Sequence, residues 1–113
     1  VVKTPEGLVK DAIKLVLDAH KPELYYEMNV PTGYGKSGLD FIGAFYGQAF
    51  AIEAKARRKP TSRQDGTIED MTKAGICVFV IDATECDDMT ALRKWLDDVR
   101  VWWLRSREDV ASS

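Results

Sequence analysis

The stretch LDFIGAFYGQAFAIEAKA, residues 39–56, decides the reading of the fold. Two runs alternate in polarity on either side of Tyr46-Gly47, which predicts a β-hairpin with a two-residue turn. That turn sets Phe45 opposite Gln48, Gly43 opposite Phe50 and Phe41 opposite Ile52, an apolar face that goes to the core. A four-residue loop gives the same pairing, whereas a slip of one residue breaks the apolar match. The same register brings Asp40 opposite Glu53, with Cβ atoms about 5 Å apart on the other face. Lys55, one pleat repeat beyond Glu53, shares that face. Ala44, Ala49 and Ala51 leave room around it.

Working outward, TPEGLVKDAIKLVLDAH reads as a helix. Thr4 can cap it, Pro5 suits its first position and Glu6 meets the favourable end of the dipole. Leu8, Ala12, Leu15, Val16 and Ala19 are expected to form its buried stripe. Pro22 ends this element, and LYYEMNV, Leu24 to Val30, reads as a strand. After the hairpin, Thr61 and Gln64 have the spacing of a capping box, so a helix is expected from Ser62. Ile68, Met71 and Ala74 give its inner face and Gly75 its end. ICVFVID, Ile76 to Asp82, is a nearly unbroken apolar run, expected to be buried on both faces. Strand, helix and strand at this spacing suggest a parallel crossover. From about Thr90, Leu92, Trp95, Leu96, Val99 and Trp103 recur at helical spacing, Trp102 and Trp103 fit helix or strand, and the tail from about residue 106 is expected to fray. The expectation is a single α/β domain over residues 1–113, a mixed sheet flanked by helices.

A chain of 113 residues has room for one modest core. Its 45% apolar content argues against wholesale disorder. No run reaches membrane-spanning length and no signal peptide is expected, so no membrane partner and a cytoplasmic setting are expected. Cys77 and Cys86 lack metal-ligand spacing and read as free thiols. His20, the only histidine, reads as structural. The net charge of −2 does not advertise a nucleic-acid partner. Its distribution is uneven, however: KARRK, residues 55–59, is densely basic and TECDD, residues 84–88, acidic.

PTGYGKSGLD, residues 31–40, has the composition of a phosphate loop. Spacing argues against a nucleotide-binding P-loop. Val30 stands where its first glycine belongs, and a strand follows instead of a helix. The stretch is a glycine-rich lead into the strand that begins at Asp40.

Two opposed carboxylates repel and destabilise a sheet unless something lies between them. A divalent cation resolves the conflict, and hard oxygen ligands favour Mg²⁺ or Mn²⁺. A neighbouring lysine then suits a reaction that builds negative charge on a phosphate. A plain reading, two solvated acids and a lysine on an exposed sheet face, stands beside it.

With the hairpin, the Asp40…Glu53-Ala54-Lys55 pattern, the basic run and the Gln64 helix in view, the chain resembles the PD-(D/E)xK nuclease superfamily. It is most similar to small stand-alone VRR-NUC proteins of the phage type. The likeness covers about Tyr34 to Asp82, and Leu39 stands where that family usually has proline. The resemblance implies a restriction-endonuclease-like core of order α-β-β-β-α-β. It implies a Mg²⁺- or Mn²⁺-dependent deoxyribonuclease that leaves 5′-phosphate and 3′-hydroxyl ends. Asp40 and Glu53 would be metal ligands with the Ala54 carbonyl, and Lys55 the catalytic lysine. Gln64 matches the family's helical glutamine, though a capping role serves it equally. Glu6 matches an acid that often joins such sites, or it is a surface acid at a helix start. Lys36 and Ser37 on one side, and Arg57, Arg58, Lys59 and Arg63 on the other, are candidates for DNA-backbone contacts that position without reading sequence. The family likeness favours branched or flap DNA, Holliday junctions included, and a homodimer that presents two sites. A non-catalytic DNA-binding or assembly module is the alternative, and a sequence-specific restriction-type nuclease a third.

Overall fold

The computed structural model describes residues 5–29, 39–55, 62–82 and 87–112. The order is α1 (Pro5–Asp18), β1 (Leu24–Met28), β2 (Phe41–Phe45), β3 (Gln48–Lys55), α2 (Ser62–Lys73), β4 (Cys77–Asp82) and α3 (Asp87–Ser112). The strands form one mixed sheet in the order β1-β2-β3-β4. β1–β2 and β2–β3 are antiparallel and β3–β4 is parallel. This is the α/β arrangement expected, with α3 added after β4.

The hairpin has the expected register, from Phe45↔Gln48 to Phe41↔Ile52. Its turn holds Tyr46 at φ 49° and Gly47 at φ 79°, the left-handed pair that matches strand twist. Tyr46 is held there by stacking on Trp103, with centroids 5.2 Å apart and planes 19° apart. Gly43 is obligatory for another reason: a Cβ there would run into the Tyr25 carbonyl and the Tyr26 Cα of β1.

The core gathers on one face of the sheet. Phe41, Phe45, Phe50, Ile52, Ala54 and Ile81 meet α1 and α3, which supply Ile13, Leu17, Leu92 and Leu96. His20 closes one end. Its Nδ1 donates to the Val16 carbonyl at 2.8 Å, and its ring stands edge-on to Phe45. The structural reading of His20 therefore holds. α2 lies along β4 and ends in a Schellman motif. Gly75 at φ 93° lets its own N–H reach the Thr72 carbonyl and the Ile76 N–H reach that of Met71, both at 3.0 Å.

Three expectations are corrected. In α1 the buried stripe is Val9, Ile13, Val16 and Leu17, while Leu8 and Leu15 are 59% and 74% exposed. The helix carries two apolar stripes that share Val16, and the bulkier branched one faces the sheet. β4 is not buried on both faces: Cys77 to Val80 are half-buried. It is an edge strand, whereas β2 and β3 lie between neighbours and β3 is buried from Phe50 to Ala54. Finally, α3 begins at Asp87 and runs to Ser112 instead of fraying from residue 106. Trp103 anchors it on Tyr46, and the Arg107 guanidinium, 5.5 Å from the Trp103 ring centroid, extends the anchorage by a turn. No helix among the described residues is long and apolar enough to cross a membrane.

Candidate active site

The site lies where β2 and β3 part. Were the ladder to continue beyond Phe41↔Ile52, the Ala54 N–H would meet the Leu39 carbonyl. It does not. Asn29 takes both carbonyls on the β2 side, donating from Nδ2 to Leu39 and from its backbone N–H to Asp40 at 2.9 Å. The Asp40 carboxylate replaces the lost partner, its Oδ2 accepting from the Ala54 N–H at 2.8 Å. A side chain thus stands in for backbone, and the carboxylate is fixed at the mouth of the splayed strands. Register directs the Ala54 carbonyl to the same side as its N–H, into this opening.

Glu53 follows the strand alternation onto the Asp40 side and is buried, at 4% exposure. Lys55 sits one pleat repeat along, its Nζ 3.4 Å from Glu53 Oε1. Among the described residues no hydrogen-bond donor reaches Glu53 Oε2, which is enclosed. Burial, and then the negative charge of Asp40, push the Glu53 carboxyl up to about 6, against the opposing pull of Lys55. Asp40, Glu53 and Lys55 therefore come together as the sequence indicated.

Two charged residues join them that sequence reasoning missed. Lys10 reaches from α1 to Asp40 Oδ1, 3.3 Å away. Asp82, at the end of β4, is buried at 5% exposure and is the register partner of Lys55. Lys10 was legible only once the facing side of α1 was known. It stands one helical turn after Glu6, on the same side of the helix. Asp82 depends on the parallel register of β3 and β4, which no short turn fixes.

The remaining candidates divide in two. Glu6, Arg63 and Gln64 hold places in the first turns of α1 and α2, and their side chains lie outside the described residues. So do Thr61 of the capping box and the backbone-contact candidates Lys36, Ser37, Arg57, Arg58 and Lys59. Among the described residues no three His, Cys, Asp or Glu side chains converge as a metal cluster. What converges is two carboxylates, with the Ala54 carbonyl directed towards them by register. That oxygen set fits a hard cation such as Mg²⁺, which commonly takes one or two carboxylates and completes its shell with water and phosphate. The raised Glu53 carboxyl is consistent with that fit, since burial and the Asp40 charge crowd negative charge into a place that water scarcely reaches.

No family model matches the chain, and no curated protein or solved structure matches it either.

Proposed function

We propose that this chain is a metal-dependent DNA endonuclease of the PD-(D/E)xK type, selective for branched or flap DNA. One observation carries the reading: the Asp40 and Glu53 carboxylates meet at the mouth of the splayed β2–β3 pair with Lys55 on the same face. Asp40, Glu53 and the Ala54 carbonyl would hold Mg²⁺ or Mn²⁺. Such a cation, when bound, supplies positive charge to the phosphate and a water of lowered pKa. The chain's own groups do the rest. The Ala54 N–H holds Asp40 in one orientation, so its outer lone pairs are set before any ligand arrives. Lys55 keeps an ammonium beside the place where phosphate charge builds, a fixed cation that needs no rearrangement during the reaction. Burial of Glu53 keeps competing water away and strengthens each of these interactions. In the net reaction the oxygen of water bonds to phosphorus and the P–O3′ bond breaks. The 3′-oxygen takes a proton, leaving a 5′-phosphate and a 3′-hydroxyl. Lys36, Ser37, Arg57, Arg58, Lys59 and Arg63 are proposed to hold the DNA backbone on either side, with Gln64 and Glu6 as additional site residues. A phage-encoded homodimer acting in the host cytoplasm is the setting that the resemblance implies.

A second reading, a DNA-binding module that makes no cuts, is favoured by one observation. Each carboxylate already holds a lysine, Lys10 on Asp40 and Lys55 on Glu53, so the cluster approaches charge balance without metal. The deciding experiment offers labelled linear, flap and four-way-junction DNA to the purified protein with Mg²⁺ or Mn²⁺, beside a chelator control. The nuclease reading expects cuts in the branched substrates that vanish with chelator. Binding without cleavage under either metal would establish the second reading instead.

A further inference from the structure

We infer that a second copy of this chain docks antiparallel on the outer face of α3, about a two-fold axis passing between Val101 and Trp102. The inference stands whether or not the chain cuts DNA. Three observations carry it. First, α3 turns Leu92, Leu96 and Val99 to the sheet yet leaves Val101 and Trp102 46% and 49% exposed. A half-exposed tryptophan is a large apolar surface of the kind enriched at protein interfaces. Second, these two residues do not stand alone: with Asp98 and Arg105 they line one open depression along the helix. Third, the sequence of that face reads the same when reversed with signs exchanged. Turning α3 about the axis sets Trp102 against Val101 and Asp98 against Arg105. Each pairing occurs twice, large with smaller and cation with anion.

Self-complementarity of this kind is what a two-fold interface requires, since the same patch must fit itself. The parallel alternative fails on charge, because it stacks Asp98 on Asp98 and Arg105 on Arg105. Lys94 already bridges to Asp98 at 3.2 Å within one chain, so the Arg105 of a second copy would complete a three-charge network. Nucleic acid suits the face poorly, for Asp98 stands between Lys94 and Arg105 and would repel its phosphates. An anionic lipid surface meets the same objection.

Charge reversal gives a test in which two failures make one success. Light scattering or sedimentation should show the unmodified chain as a dimer at micromolar concentration. Asp98→Arg and Arg105→Asp should each leave like charges facing twice. Each should weaken self-association by at least about tenfold. Mixed in equal amounts, the two variants should form a heterodimer, because the anions of one then face the cations of the other. Trp102→Ala, which leaves the charges alone, should also dissociate. All three positions lie on the exposed side of α3, and circular dichroism serves to check that each variant folds. A chain that stays monomeric throughout the micromolar range overturns the inference. So does a dimer that survives either single reversal, or a mixture of the two variants that stays monomeric.

Discussion

Replacing Glu53 by Gln keeps the shape of the side chain and removes the charge that burial and Asp40 oppose. In metal-free protein the sign of the effect follows from the carboxyl's position at about 6 in the fold, against an ordinary 4.5. A group raised in this way contributes stability that is full below about pH 4.5 and is lost as pH rises through about 6. The loss is about 2 kcal/mol, at about 1.4 kcal/mol for each tenfold change in proton affinity. Glu53→Gln escapes it. Losing the Lys55 contact at Glu53 Oε1 adds an offset of its own, so the signature is the pH dependence of the difference and not its absolute value. The assay is thermal unfolding in chelator from about pH 5 to about pH 8. About 1.2 kcal/mol of the loss falls within that range, so over it the variant should gain on the parent by about 5 °C, given an unfolding entropy of about 2.1 cal/mol/K per residue. A difference that stays flat across the range, or that moves towards the parent as pH rises, would refute the crowding of charge at this site.

The other outcomes concern the site and its support. Lys55→Ala should bind DNA almost normally and cut on the order of 10²–10³ more slowly, since the ammonium acts on charge that appears in the transition state. Single-turnover cleavage beside a binding titration checks it, and a parental rate would leave Lys55 a mere ion-pair partner of Glu53. Lys10→Ala should tighten Mn²⁺ binding by several-fold or more, because Lys10 competes for Asp40 Oδ1. Calorimetric titration reads the change, and weaker binding would make Lys10 a support of the site instead. Gly43→Ala should destabilise the fold by about 1–3 kcal/mol in urea unfolding, as the new methyl meets β1 backbone that cannot swing aside. A loss under about 0.5 kcal/mol, the range of a surface substitution, would mean that β1 and β2 can separate there.

What could be read in advance, and what could not, follows from the range over which each signal acts. The hairpin was legible because Tyr46-Gly47 fixes its register locally, and with it the facing of Asp40, Glu53 and Lys55. The Gly75 stop was legible for the same reason: a left-handed residue after an apolar helix face has few other uses. Long-range choices were not. Two apolar stripes on α1 compete for the sheet, and only the whole core decides between Leu15 and Leu17. β4 reads as a buried strand until the sheet order makes it an edge. The tail became helix because Trp103 found Tyr46, a residue far away in the chain. Lys10 and Asp82 enter the site along these same long-range routes. Asp40 was placed for a sound reason but an incomplete one: the alternation aimed it correctly, yet its hold on the Ala54 N–H needed Asn29 to draw the chain off the ladder.

The most direct test of the account is calorimetric titration of Mn²⁺ into the DNA-free protein, with Asp40→Asn and Glu53→Gln beside the parent. In the proposed site each carboxylate would supply part of one shared oxygen set, so the parent should bind the cation and each variant should lose at least about tenfold in affinity. Mn²⁺ affinity equal in all three proteins, or no binding to the parent at any concentration, would contradict a metal centre between Asp40 and Glu53.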